Sequence, residues 1–185
     1  MNQPVKPERQ DGGQGETLEA VLVRRAATAH LTLATAESLT AGLIAATIAN
    51  VPGSSAVLTG GVISYASTVK AALLGVPQDL LDRVGSVDAA VARSMADGAR
   101  SACAANIGVS ATGVAGPEPH DGKPVGTVFI GIATPKKTTA REFNFSGDRH
   151  QIREQSVQVA LELVVDFLKD QLSADQKAGT NPGDR

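Results

Sequence analysis

Aromatic residues make up only 3 % of this 185-residue chain, with no tryptophan, one tyrosine and four phenylalanines. A hydrophobic core therefore has to rest on Ala, Val, Leu and Ile. Cys103 is the single cysteine, so no intramolecular disulfide can form, which fits a reducing, cytoplasmic setting. It lies in an Ala-rich helical stretch, where a small thiol packs as a hydrophobe. The three histidines are scattered, and His120-Asp121 has no second His–carboxylate pair with which to hold a metal. A net charge of -2 leaves no basic stripe for nucleic acid. No apolar run approaches the ~20 residues of a membrane span. Met1–Gly15 lacks the apolar stretch of a signal peptide. Cofactor signatures are missing too. Gly-x-Gly-x-x-Gly is absent, and Gly116 to Gly122-Lys123, with five intervening residues and no Ser or Thr after the lysine, fails as a phosphate loop.

What is present is one soluble globular domain, 42 % hydrophobic and 19 % charged. The length suits one well-packed unit better than two. Polar, aperiodic ends at 1–15 and 173–185 read as disordered tails, leaving a folded unit over 16–172. Within it, helical and strand patterns alternate. Leu18, Val21, Leu22 and Ala26 mark a first helix; Leu31–Ala36 reads as a strand; Leu39, Leu43, Ile44 and Ile48 give a second helix that ends at Pro52-Gly53. Gly61–Tyr65 is a second strand, Thr68–Leu74 a short helix capped by Ser67 and closed by Gly75, and Pro77–Val84 a further helical turn. Ser86 then opens a long helix through Ala104, followed by a strand at Ile107–Thr112. Thr127–Thr134 and Ala140–Phe145 flank Pro135-Lys136-Lys137 as a hairpin, and Gln151–Leu172 closes the unit as an amphipathic helix. The expected fold is α/β, a three-layer α/β/α sandwich around a mixed, mostly parallel sheet of about five strands. Ligands of such sheets sit beyond the carboxyl ends of the parallel strands. Three loops begin there, Glu37–Thr40, Ala66–Lys70 and Gly113–Pro124, and the site is expected where they meet.

The chemistry available at that edge is hydroxyls and one amine. Lys70 is a base only if burial or positive potential lowers its pKa by several units; a place in the first turn of a helix contributes, because the macrodipole disfavours a cation. The plain alternative is a solvated surface lysine. Ser54 and Ser55 follow Pro52-Gly53 and are read as helix caps or as an exposed nucleophile. Ser38 and Thr40 stand where a strand passes into a helix, suited to capping or to binding an oxyanion or phosphate. Tyr65, the only tyrosine, ends a strand and is either a core aromatic with a wet tip or a group that reaches the site. Thr112-Gly113-Val114-Ala115-Gly116-Pro117 allows close backbone approach to a ligand, or simply a tight turn. Arg149 and Arg153 are placed to pair a phosphate or to lie exposed on a helix.

The spelling narrows these choices. Thr35-Ala36-Glu37-Ser38-x-Thr40-x-Gly42, Gly53-Ser54-Ser55, Tyr65 with Lys70, Ser110-x-Thr112-Gly113-x-Ala115-Gly116-Pro117 and Lys123-Pro124-Val125-Gly126-Thr127 closely resemble the CinA C-terminal domain family of competence/damage-inducible proteins. Phe145-Ser146-Gly147-Asp148-Arg149 with Ile152-Arg153 extends the resemblance, which runs from about residue 18 to 170. Enzymatically active members are nicotinamide mononucleotide deamidases, amidohydrolases of pyridine nucleotide salvage. The resemblance implies a Ser/Lys dyad with Ser55 as nucleophile and Lys70 as general base, assisted by Tyr65. Ser38, Thr40, Thr112, Gly113, Gly116 and the two arginines then bind substrate, Arg149 being favoured over Arg153 for its charge. It implies no cofactor and no metal. The expected partner is a small pyridine nucleotide, with neither nucleic acid nor membrane involved.

Some positions depart from the family pattern. Leu39 stands where many members have cysteine, Ala41 where glycine is usual, and Glu118-Pro119-His120-Asp121-Gly122 where a glycine-rich run is usual. These border the expected cleft and leave open a second reading, a non-catalytic nucleotide-binding or competence-related interaction module. Many relatives carry an additional N-terminal hydrolase domain, and the length here suits the stand-alone form. Homo-oligomer formation, for instance through the small residues of Ser86–Ala104, stays open.

Overall fold

The computed structural model describes residues 15–179. The expected N-terminal tail lies outside that range except for Gly15, and 180–185 lie outside it as well. Helix α1 (Leu18–Thr28) leads into strand β1 (Leu33–Glu37), helix α2 (Leu43–Ala49), a short 3-10 turn at Ser54–Ala56 and strand β2 (Leu58–Ile63). Helices α3 (Ser67–Leu74), α4 (Gln78–Val84) and α5 (Ala89–Ala102) follow, then strands β3 (Ile107–Gly113), β4 (Thr127–Ala133) and β5 (Thr138–Asn144), and helix α6 (Arg149–Gly179).

The five strands form one sheet in the order β2-β1-β3-β4-β5. β1 pairs in parallel with β2 and β3, while β4 is antiparallel to both β3 and β5. β4 is thus the one reversed strand, as the hairpin requires. Position in the sheet explains the patterning. Interior strand β1 is buried at every residue, the polar Thr35 and Glu37 included, whereas edge strand β2 alternates half-buried and exposed residues. On one face α1, α2 and α6 cover Leu33, Val109, Ala111 and Ile130; on the other, α3, α4 and α5 cover Ala34 and Ala36. Without large aromatics, layers close up by backbone approach. A Cβ on Gly108 would meet the Ala96 carbonyl, and one on Gly131 the Ala92 carbonyl, so these strand glycines let α5 lie directly on the sheet.

Several element boundaries differ from expectation. β2 runs Leu58–Ile63 rather than Gly61–Tyr65, so Tyr65 stands in the loop beyond the strand and does not end it. At three helices the difference has a local reason. Ser67 is inside α3 rather than capping it; Ala66 holds the cap position. α5 starts at Ala89, because the Asp88 carboxylate accepts from the Ala90 N–H (2.7 Å) and caps the helix there. Ser86 is thereby left in a loop. α6 begins at Arg149 and continues past Leu172 to Gly179.

Candidate active site

Parallel strands deliver their following loops to one edge of the sheet. β1 ends at Glu37 and β2 at Ile63, so Ser38 and Ser64 emerge side by side, and α3 returns Lys70 over them. Lys70 is fully buried. Its Nζ donates to Ser38 Oγ (2.9 Å), to the Ser64 carbonyl (2.7 Å) and, more weakly, to the Tyr65 carbonyl (3.4 Å). Burial pushes its pKa down to about 8, against the opposing pull of the Asp121 charge. A hydroxyl and an amine poised near neutrality are therefore in direct contact.

The Ser38 turn is held from three sides. Buried Glu37 accepts from the N–H groups of Gly42 (2.8 Å), Ile44 (3.0 Å) and Ala45 (2.9 Å), so its carboxylate satisfies the start of α2. Arg153, from α6, donates to the carbonyls of Leu39 (2.9 Å) and Thr40 (3.0 Å). The Ser38 N–H donates to the Ala111 carbonyl on β3 (2.9 Å). Ala41 and Gly42 both have positive φ, +52° and +97°. The N–H groups of Leu39 and Thr40 have no acceptor among the described residues. Leu39 packs into the core while also lining the cleft.

A cleft of about 310 Å³ opens beside this contact. Ser38, Leu39, Tyr65, Ser86 and Arg149 line it together with the chain from Gly113 to His120. Across its mouth Arg149 donates to the Tyr65 hydroxyl (2.6 Å) and to the Gly116 carbonyl (2.8 Å). Tyr65 is 57 % exposed, so both groups face solvent and an incoming ligand. The wall opposite is fixed by Thr112, whose Oγ1 donates to the Ser86 carbonyl (2.7 Å), and by Asp121, which accepts from the Ser86 N–H and hydroxyl.

Of the residues expected at the site, Ser38, Tyr65, Lys70, Gly113, Gly116 and Arg149 are brought together here. Ser55 is not. It sits exposed in the 3-10 turn before β2, whereas Lys70 binds at the end that follows β2. The length of that strand, ~20 Å at ~3.3 Å per residue, separates them, so Ser55 cannot pair with Lys70 in this fold. Thr40 is fully buried with its hydroxyl unpartnered, and Thr112 is fully buried and spent on Ser86, so neither meets a substrate directly. Arg153 is spent on the Ser38 turn rather than facing the cleft. His120 and Asp121 face each other at 3.5 Å, and no third metal-ligating side chain joins them among the described residues.

Sequence reasoning assigned no role to Glu37, Ser86 or Asp121, although it placed Glu37 and Asp121 on loops expected to meet at the site. A carboxylate between a buried strand and a short helix was the available signal for Glu37. Ser86 and Asp121 are 35 residues apart and gave none.

Comparison with known proteins places these features in a wider set. The CinA C-terminal domain model matches residues 15–168. A CinA-like protein of Frankia casuarinae is 46 % identical over 153 residues, 83 % of this chain and 35 % of that protein. A putative competence-damage inducible protein of Desulforamulus reducens is 43 % identical over 83 % of this chain and 38 % of its own length. The chain thus spans little more than a third of these curated relatives. Among solved structures, a CinA superfamily protein from Klebsiella pneumoniae superposes with TM-score 0.80 at 27 % identity, covering 83 % of this chain and 96 % of that one. The competence/damage inducible protein CihA from Agrobacterium tumefaciens gives TM-score 0.78 at 33 % identity, covering 84 % and 97 %. No described helix is long and apolar enough to cross a membrane.

Proposed function

The chain belongs to the CinA C-terminal domain family, and on that premise we propose that it is an amidohydrolase that deamidates nicotinamide mononucleotide with Ser38 as nucleophile and Lys70 as base. The observation that carries this reading is the 2.9 Å contact between Lys70 Nζ and Ser38 Oγ, made by a fully buried lysine. Nucleophilic serines need an adjacent base, and lysine serves when desolvation leaves part of it neutral at working pH. With a pKa of about 8, roughly a tenth of Lys70 is neutral at pH 7.

In this mechanism Ser38 Oγ attacks the carboxamide carbon and its proton passes to Lys70 Nζ. The tetrahedral intermediate collapses as the C–N bond breaks, and Lys70 returns the proton to the departing nitrogen, which leaves as ammonia. Water then attacks the Ser38 ester with Lys70 again taking a proton. The C–O bond to Ser38 breaks, the proton returns to Oγ, and nicotinic acid mononucleotide is released. The unengaged N–H groups of Leu39 and Thr40 adjoin the nucleophile and are the candidates for holding the oxyanion; loss of one such donor typically costs ~10²–10³ in rate. Arg149 offers charge-assisted hydrogen bonds to the phosphate at the cleft mouth. None of these steps calls for a metal or cofactor.

The test is ammonia release from nicotinamide mononucleotide by purified protein and by Ser38→Ala. Turnover in the first and its loss in the second, with unchanged thermal unfolding, is the expected result. Folded wild-type protein that releases no ammonia refutes the substrate assignment.

A further inference from the structure

Asp121 lies on the loop between β3 and β4, and the catalytic steps above give it no part. Several observations converge on it. Its Oδ2 accepts from both the N–H and the hydroxyl of Ser86, a cleft-lining residue. It holds a left-handed backbone conformation, φ +51°, which aspartate adopts more readily than most residues and which suits the tight turn it stands in. Gly85 admits it closely, since a Cβ there would collide with the Asp121 carboxyl group. The flanking residues His120 and Lys123 bridge each other through their backbones, so the loop is a closed turn pinned at one point.

Lys70 has few other charges to answer to besides Glu118, which lines the cleft from the same loop as Asp121. Glu37, on the β1 side, is engaged by three α2 amides. From α6, Arg149 is turned to Tyr65 and Gly116. On α5, which packs on α3, Asp97 is paired with Arg100, leaving Arg93; on α4, Asp79 is paired with Arg83 and Asp82 with Gln78. His120 pairs with Asp121 itself. The β2–α3 connection offers only carbonyls and the Tyr65 phenol.

We infer that Asp121 is a positioning residue of the Ser38–Lys70 site: its carboxylate ties the Gly116–Lys123 wall to Ser86 and so sets the shape of the cleft beside the reactive pair. The direction of its own ionisation agrees. Burial acts to raise the Asp121 pKa, but the Ser86 hydrogen bonds, the His120 charge and the Val87 N–H outweigh it and hold the carboxyl below its ordinary range. Asp121 is therefore charged throughout the range in which Lys70 titrates. Its charge favours the ammonium, so it keeps Lys70 from becoming neutral too early and holds the wall that shapes the cleft.

The kinetic half of the test rests on the amidase reading; the other half does not. Lys70 is followed by its ¹³Cε resonance, assigned by its disappearance in Lys70→Met, in wild type, Asp121→Asn and Ser86→Ala. Asp121→Asn is expected to move the Lys70 midpoint to lower pH and to raise KM severalfold. Ser86→Ala keeps the carboxylate and its backbone hydrogen bond, so KM should rise while the midpoint stays. An unmoved midpoint in Asp121→Asn overturns the electrostatic role, and an unmoved KM overturns the positioning role. If Asp121→Asn does not fold, Asp121→Glu preserves the charge and must keep the wild-type midpoint; a downward displacement there overturns the inference. A midpoint that moves in a protein releasing no ammonia sinks the amidase reading and leaves the role of Asp121 intact.

Discussion

Removing the Lys70 amine should cost the protein least stability at neutral pH and most at alkaline pH. Lys70 is fully buried and its pKa lies at about 8, against 10.5 for an exposed lysine. Between those two values the unfolded chain holds a proton that the folded chain does not. Stability then rises with pH, because the unfolded state binds more protons. The native contribution is lowest below pH 8, where folding has to bury an ammonium, and is recovered by pH 10.5. At 1.36 kcal/mol for each pH unit the span amounts to about 3 kcal/mol. Other groups titrate in this range, so the quantity to measure is a difference. Urea unfolding of wild type and Lys70→Met, at intervals from pH 7 to 10.5, gives the free energy of each. The wild-type value minus the variant value should climb by about 3 kcal/mol across the window. A difference that stays flat means that Lys70 ionises like a surface lysine, and the argument for it as a base falls with that result.

Other substitutions probe the frame around the pair. Glu37→Gln turns an amide –NH₂ toward backbone donors and leaves at least one buried N–H unsatisfied; thermal or urea unfolding should show a loss of ~2 kcal/mol, and no loss would mean the α2 start is satisfied otherwise. Ala41→Gly relieves a left-handed backbone at φ +52° and should stabilise by ~0.5 kcal/mol net of the added unfolded-state entropy, read as a higher urea midpoint. Arg149→Ala should raise KM for nicotinamide mononucleotide ~10-fold or more while leaving the corresponding riboside, which has no phosphate, nearly unaffected; equal effects on both would place Arg149 elsewhere in the mechanism.

Much of the fold is legible in the chain because its signals are local. Leu43, Ile44 and Ile48 fall at helical spacing, the Lys136-Lys137 turn separates two strands, and Gly75 stops α3. Among the boundaries that moved, the start of α5 turned on which of two nearby polar residues takes the cap: Asp88 does, while Ser86 is held by the distant Asp121. At α3 the cap position falls on Ala66, with no side-chain hydrogen bond to mark it in the sequence. The site divides in the same way. That loops after β1, β2 and β3 share an edge follows from parallel topology, which puts Ser38 and Lys70 together although they are 32 residues apart. Ser55 is nearer to Lys70 in sequence but lies before β2, so the same topology sends it to the opposite edge. Resemblance ranked Ser55 first; strand direction is what separates it from the amine. Only the resemblance favoured Arg149 over Arg153; helical spacing alone does not separate them, since one helical turn decides which faces the cleft and which grips the Leu39 and Thr40 carbonyls.

The contact between Ser38 and Lys70 is the centre of this account, and one comparison bears on it most directly. Ammonia release from nicotinamide mononucleotide is measured for wild type, Ser38→Ala and Ser55→Ala, with thermal unfolding as the control for each. Activity abolished in Ser38→Ala and retained in Ser55→Ala is the result predicted. The reverse pattern, activity surviving without the Ser38 hydroxyl and lost without that of Ser55, would contradict it.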